Sequence, residues 1–238
     1  MINIREKIVS VLYPRQCPVC REIVYPKGDT ICRECRNGLP YISGARCRKC
    51  SKPVHNEVVE YCYDCSRKKH FYNEGISLFE HKGSIKDAIY DIKYNNKREY
   101  LDFFADEIVL RCGDRIKGWK ADVIVPVPLY KRKEAKRGFN QAAEAAERIG
   151  RRLDIPVSGK ILYRIQDTVP QKELTDKGRK KNVENAFIVN KNIVKFKKVI
   201  IVDDIYTTGS TIDSCAGVLR NAGVEKVYFV TFSIGDGF

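Results

Sequence analysis

Histidine is scarce in this chain of 238 residues, which contains only three of them. They are His55, His70 and His81, and all three lie in the first half of the sequence. A histidine-rich metal centre therefore lacks the residues it would need, and so does a Ser–His–Asp triad in the C-terminal part.

Long apolar runs are missing as well. No run approaches the roughly 18 residues that a membrane-spanning helix requires. The apolar stretch at 8–13 is too short for the core of a signal peptide, and no small-residue cleavage site follows it. We therefore expect a cytoplasmic protein that does not insert into membranes.

Acidic residues are too few to balance the basic ones. The chain has 30 Asp and Glu residues against 44 Lys and Arg residues, a formal net charge of +14. Such an excess points to polyanionic partners, namely nucleic acid or phosphorylated metabolites. The length and the 43% hydrophobic content suit one full core and a smaller second unit.

Cysteine is abundant at the beginning of the chain. Of ten cysteines, eight lie before residue 66, and all eight belong to Cys-x-x-Cys pairs. The third and fourth pairs repeat the spacing of the first two pairs, which indicates two copies of one unit. The four pairs are Cys17/Cys20, Cys32/Cys35, Cys47/Cys50 and Cys62/Cys65.

Two Cys-x-x-Cys turns can supply the four thiolates of a tetrahedral site, which is the geometry that Zn²⁺ prefers. Disulfides suit a cytosolic chain poorly, and a redox pair would normally occur once, near a strand–helix junction. We expect two structural zinc sites in a double zinc ribbon. The spacing does not decide between sequential and interleaved pairing of the turns, and sequential pairing is our working hypothesis. Cys112 and Cys215 are expected to behave as small buried hydrophobes.

From about residue 71 onward, strand and helix patterns alternate. This order predicts an α/β fold with a parallel sheet covered on both faces, and it places the ribbons in 1–70 and the sheet domain in 71–238. Ligands of such sheets bind beyond the carboxyl ends of the strands. The predicted strands are 75–81, 122–126, 161–163, 198–203 and 227–232, and the predicted helices are 85–92, 101–109, 140–153 and 208–222.

An acidic pair and a hydroxyl-rich turn follow the predicted strand at 198–203. Asp203 and Asp204 could accept hydrogen bonds from a vicinal diol or hold hydrated Mg²⁺. Gly209 permits close approach of a ligand to the backbone, and the N–H groups of the next helix suit a phosphate. A diol and a phosphate together describe a ribose 5-phosphate. The alternative is a capped helix that happens to follow a strand.

The run 199–211 resembles the phosphoribosyl-pyrophosphate (PRPP) motif of type I phosphoribosyltransferases. The resemblance implies that Asp203 and Asp204 bind the ribose hydroxyls and that Mg²⁺ accompanies PRPP. It also implies a 5-phosphate site formed by Thr207, Thr208, Gly209, Ser210 and Thr211. Many family members carry a catalytic carboxylate where this chain has Thr207, which speaks against purine-salvage-type base catalysis.

A second resemblance involves the segment that follows the strand at 122–126. The type I family implies a pyrophosphate site here, at Pro128, Leu129, Tyr130, Lys131 and Arg137. Together with the cysteine modules, the sequence Arg-Gly-Phe-Asn-Gln at 137–141 resembles the ComF family of competence proteins. The polar stretch 164–185, which also matches that family's pattern, is expected to form a hood over the ligand.

Two functional hypotheses remain open. In the first, a ComF-like protein binds PRPP and handles single-stranded DNA during natural transformation, with a possible partner in the competence machinery. Aromatic residues near the ribbons suit either base stacking or ribbon packing, and they are Tyr61, Tyr63, Phe71 and Tyr72. In the second hypothesis, the chain is an active Mg²⁺-dependent phosphoribosyltransferase of unknown acceptor.

Overall fold

A computed structural model describes residues 14–166, 186–190 and 195–235. The strands are β1 (Glu74–Glu80), β2 (Val123–Pro126), β3 (Leu162–Arg164), β4 (Phe187–Val189), β5 (Lys198–Tyr206) and β6 (Lys226–Ile234). The helices are α1 (Arg33–Asn37), α2 (Tyr63–Arg67), α3 (Gly83–Tyr94), α4 (Tyr100–Gly118), α5 (Lys131–Arg137), α6 (Gln141–Leu153) and α7 (Ser210–Asn221). Within this part of the chain, no helix has the length and apolar character needed to cross a membrane.

The centre of the fold is a sheet of four parallel strands in the order β1-β6-β5-β2. Successive side chains of β5 point to opposite faces, and both faces are covered. Val199 and Ile201 pack on the same side as Phe229, whereas Ile200 and Val202 pack on the other side. The apolar runs in the sequence reflect this burial, and the predicted α/β class with a parallel sheet is confirmed.

Helices α4 and α6 pack against each other on one face of the sheet, and α7 covers the other face together with β4. β3 and β4 form a short antiparallel pair. The segment between these two strands contains the predicted hood, of which residues 167–185 lie outside the described residues.

Helix α5 is not among the helices predicted from the sequence. Its seven residues comprise five basic residues, one acidic residue and a single alanine. No apolar periodicity exists in such a segment, so the pattern contains no helical signal. The helix ends at Gly138, whose φ of 82° is left-handed and is readily adopted by glycine.

The two cysteine modules pack on opposite faces of the sheet. Cys17, Val24 and Ile31 of the first module join the core formed with α4 and α6. Cys50 and Cys62 of the second module join the core on the α7 side. Both modules therefore share apolar cores with the sheet, and the division at residue 70 stays a prediction about folding units.

A buried carboxylate ties the first module to α4. Glu107 is completely buried, and its two oxygens contact Arg36 and Tyr41 of the module. Arg111, one turn further along α4, donates to Glu107 Oε2 over 3.3 Å. Burial and the neighbouring carboxylate raise the pKa of Tyr41 to about 12, so the phenol stays protonated and donates its hydrogen bond.

Replacing Glu107 with alanine should lower the free energy of unfolding by about 2 kcal/mol, because Arg36, Tyr41 and Arg111 lose the charged acceptor that they share. Urea denaturation measures this loss. Glu99→Ala serves as the control, since Glu99 forms a 3.8 Å ion pair with Lys97 at the surface and should change stability by less than about 0.5 kcal/mol. Equal, small losses in both variants would contradict a structural role for Glu107.

Candidate functional site

The eight paired cysteines form two groups, each consisting of two turns that are consecutive in the sequence. Within each group the Sγ atoms all lie within 4.8 Å of one another. Hydrogen bonds from neighbouring thiols lower the pKa of Cys47 far below its usual range. An all-thiolate set of four suits tetrahedral Zn²⁺, so the expected zinc sites have suitable ligands. The groups are Cys17, Cys20, Cys32 and Cys35, and Cys47, Cys50, Cys62 and Cys65.

The acidic pair lies at the carboxyl end of β5, beside the end of β2. Asp204 is buried, and two groups approach the same oxygen, Oδ2. Lys93 of α3 places its Nζ atom 2.8 Å from it, and Gln141 of α6 donates from Nε2 over 3.0 Å. These contacts fix the orientation of one carboxylate of the pair.

The second carboxylate of the pair, Asp203, is partly buried and accepts the backbone N–H of Asp204 at 2.9 Å. Burial and the negative charge of Asp204 raise the pKa of Asp203 to about 7. The positive charges of Lys93 and Arg164 oppose this rise. Near neutral pH, therefore, a ligand that donates hydroxyl groups would favour the ionised form of Asp203.

The turn between β5 and α7 leaves little space for a side chain at Gly209, whose φ of 77° is left-handed. A Cβ atom at this position would lie 2.3 Å from the hydroxyl oxygen of Tyr206, so the turn requires glycine on two grounds. Thr208 and Ser210 exchange a hydrogen bond of 2.8 Å, and Thr207 is exposed. Ser210 and Thr211 lie in the first turn of α7, which begins two residues later than the sequence predicted.

The segment 137–141 connects the ends of β2 and β5. Asn140 caps α6 by accepting from the backbone N–H groups of Ala142 and Ala143, and it donates to the carbonyl of Val127 over 3.0 Å. Gln141 donates to Asp204 and accepts from Arg137. This motif therefore holds α6, the segment after β2 and the acidic pair in one arrangement.

The predicted pyrophosphate residues lie beside this motif. Pro128, Leu129 and Tyr130 are partly buried in the connection that leads from β2 to α5. Lys131 is exposed and begins α5, and Arg137 ends it. These residues lie at the same edge of the sheet as Asp203, because β2 and β5 are parallel neighbours.

The segment that follows the second cysteine module contacts Tyr206 at the end of β5 and the first turn of α7. The hydroxyl groups of Tyr72 and Tyr206 lie 2.8 Å apart, and both rings pack against Phe229. The backbone N–H of Phe71 donates to Asp213 of α7 over 2.7 Å. Tyr72 therefore packs inside the protein and is unavailable for base stacking, whereas Tyr61, Tyr63 and Phe71 remain exposed.

Sequence reasoning did not identify Lys93 as part of the site. The residue lies on a helix about 110 positions before Asp204, and a lone lysine on an amphipathic helix resembles any solvated surface residue. Arg164, which influences the pKa of Asp203, begins the stretch 164–185, for which the sequence predicted only a hood. Neither residue has a local sequence signal that would reveal its position.

Comparisons with known proteins agree with this architecture. The family model for the double zinc ribbon domain matches residues 8–66, and the model for the phosphoribosyl transferase domain matches residues 113–234. Competence protein F of Haemophilus influenzae is 28% identical over 82% of this chain and 93% of its own length.

Two further relatives cover most of the chain. Competence protein ComFC of Bacillus subtilis is 27% identical over 82% of this chain and 80% of its own length. DNA utilization protein YhgH of Escherichia coli is 26% identical over 90% of this chain and 94% of its own length. This chain is a ComF-like protein that belongs to the phosphoribosyl transferase domain family and has a double zinc ribbon ahead of that domain.

Proposed function

We propose that this protein binds PRPP with Mg²⁺ at the carboxyl edge of its sheet and handles single-stranded DNA in the cytoplasm during DNA uptake. The observation that carries the proposal is the convergence on one edge of an oriented carboxylate pair and a glycine-containing turn that opens a helix. One part suits a diol and the other suits a phosphate, and PRPP contains both groups.

The ribose hydroxyls, the 5-phosphate and the pyrophosphate of PRPP bind to three different parts of this edge. Asp203 and Asp204 accept the ribose hydroxyls, and the turn from Thr207 to Thr211 surrounds the 5-phosphate. The pyrophosphate lies near Pro128 to Lys131, with Arg137 at the far end of α5. Mg²⁺ prefers oxygen ligands, and the pyrophosphate oxygens and the nearby carboxylates would supply them.

The proposed role in DNA uptake is supported by the relatives, two of which are named competence proteins and one a DNA utilization protein. The net charge of +14 favours binding to a phosphate backbone. Exposed aromatic residues are available for stacking on unpaired bases. A protein partner from the competence machinery would complete this role.

An active transferase is the less favoured hypothesis. Such an enzyme needs a group that serves the acceptor, and the residue at the usual position of that group is the exposed Thr207. Stabilisation of the charge that develops at C1′ would still be possible with Mg²⁺ and the nearby cations. The acceptor, however, has no recognisable site among the described residues.

Calorimetry with PRPP and a mobility shift with an oligothymidylate test the proposal. PRPP should bind with Mg²⁺ and much more weakly without it, and oligonucleotide binding should weaken steeply as the salt concentration rises. Absence of PRPP binding would refute the first half of the proposal. Pyrophosphate release that requires both PRPP and a nucleobase would favour the transferase instead.

A further inference from the structure

Helix α3 presents two exposed aromatic side chains that the sequence analysis did not single out. Tyr90 is 57% exposed and Tyr94 is 65% exposed. Their spacing of four residues places them on one side of the helix, and their ring centroids lie 4.7 Å apart. Neighbouring exposed rings of this kind form a ready contact surface for a flat, apolar partner.

A basic helix ends beside this pair. The guanidinium of Arg137, at the end of α5, lies 5.7 Å from the centroid of the Tyr94 ring. The remainder of α5 adds four basic residues and one acidic residue, and Lys131, Arg132 and Lys136 are exposed. Aromatic rings beside a cationic helix suit a partner that has both flat rings and negative charge.

The pair also lies next to the proposed PRPP site. Lys93, which immediately precedes Tyr94, reaches Asp204. Arg137 donates to Gln141, and Gln141 donates to Asp204. The tyrosines and α5 therefore border the edge of the sheet on which the carboxylate pair lies.

The aromatic residues of the second zinc module have a different setting. The guanidinium of Arg67 covers the ring of Tyr63 at 4.4 Å. Several cations of this module already have acidic partners, since Lys52 lies 3.0 Å from Asp64 and Arg48 lies 2.6 Å from Glu60. These ion pairs reduce the attraction of the zinc-module surface for phosphates.

We propose that Tyr90, Tyr94 and the exposed cations of α5 form a binding platform for single-stranded nucleic acid. Bases stack on the two tyrosines, and the phosphate backbone follows α5 toward the PRPP site. Because every base has an aromatic face, binding to the platform tolerates different sequences. The inference rests on the proposed handling of single-stranded DNA and locates that activity on the sheet domain.

The test measures the affinity of the full-length, zinc-loaded protein for a fluorescently labelled oligothymidylate. Tyr90→Ala combined with Tyr94→Ala should weaken binding by about tenfold or more, whereas phenylalanine at both positions should retain it. Tyr25→Ala removes an exposed tyrosine far from α3 in sequence and should leave the affinity within about twofold. Unchanged PRPP affinity in each variant verifies that the fold is intact.

A second variant tests the cationic part of the platform and does not depend on the tyrosine substitutions. Arg132→Ala combined with Lys136→Ala removes two exposed charges from α5. The slope of log affinity against log salt concentration should become shallower by about 1.4, since each contact with a single strand contributes about 0.7. An unchanged slope would overturn the assignment of phosphates to α5.

The outcomes separate this inference from the proposed function. If the wild type binds the oligonucleotide and the Tyr90/Tyr94 alanine variant binds equally well, the platform is refuted and the proposed function stands. The platform is also refuted, and the proposed function stands, if Tyr61→Ala combined with Tyr63→Ala weakens binding and the Tyr90/Tyr94 alanine variant does not. If the wild type binds PRPP but no oligonucleotide, the proposed DNA handling itself is refuted.

Discussion

Replacing Asp203 with asparagine should weaken PRPP binding by about 100-fold. Each hydrogen bond from a ribose hydroxyl to an ionised carboxylate contributes roughly 1.5–3 kcal/mol, and asparagine lacks the charge that strengthens it. Calorimetry with PRPP and Mg²⁺ at pH 8 measures the effect, because most of the Asp203 carboxyl is ionised at that pH. Wild-type affinity in the variant would contradict the assignment of Asp203 to the ribose.

Stability measurements distinguish this loss from misfolding. The pKa of Asp203 is raised from 3.8 to about 7, so this residue lowers the stability of the folded protein progressively as the pH rises from 3.8 to about 7, and the full loss persists above that pH. Asparagine removes that penalty, and the variant should melt at the same or a higher temperature than the wild type at pH 8. Asp87→Asn, an exposed substitution on α3, should alter neither stability nor affinity.

The same carboxyl group should make PRPP binding dependent on pH. If the ligand selects the ionised form, wild-type affinity should fall about tenfold between pH 8 and pH 6, as protonation proceeds through a pKa of about 7. Phosphate groups of PRPP also titrate in this range. Asp203→Asn therefore provides the reference, because asparagine does not titrate. The affinity of this variant should change about tenfold less between pH 8 and pH 6 than the affinity of the wild type.

Loss of zinc from the second module should weaken PRPP binding by about tenfold. Metal binding contributes roughly 10 kcal/mol to the folding of such a short module, so Cys62→Ala should loosen the chain around Tyr72. Tyr206 would then lose its hydroxyl partner at the start of the turn between β5 and α7. Zinc content and PRPP affinity, measured on the same sample, provide the test.

Two control variants isolate the cause. Cys112→Ala removes a cysteine outside both zinc groups and should leave zinc content and PRPP affinity unchanged. Tyr72→Phe keeps the ring and the zinc but removes the hydrogen bond, so its affinity should fall between those of the wild type and Cys62→Ala. Zinc-deficient protein that binds PRPP normally would exclude the contact through Tyr72 as a determinant of affinity.

The buried elements of this fold could be predicted from the sequence. β2, β5 and β6 lie between two packed faces, so each appears as a continuous apolar run of strand length. Helix α6 has a clear apolar stripe and a capping residue, Asn140. The grouping of the acidic pair with the glycine turn followed from their adjacency in the chain.

Contacts between distant segments could not be predicted in this way. The partners of Glu107 and Lys93 lie about 66 and 110 residues away in the sequence. The neighbouring residues in the sequence do not distinguish either of them from an ordinary charged surface residue. Helix α5 lacks apolar spacing, and Tyr90 and Tyr94 gain significance only from the proximity of Arg137. The sequence allowed either base stacking or internal packing for Tyr72, and the structure shows that its side chain is buried.

The hydrogen bond between Tyr72 and Tyr206 has a thermodynamic consequence for the metal. Coupling between two binding equilibria is reciprocal, so a zinc ion that strengthens sugar-phosphate binding must itself be held more tightly once PRPP is bound, by the same factor. PRPP would therefore protect the second module from chelators. In a cell short of zinc, the supply of this metabolite would help to decide how long the protein keeps its metal.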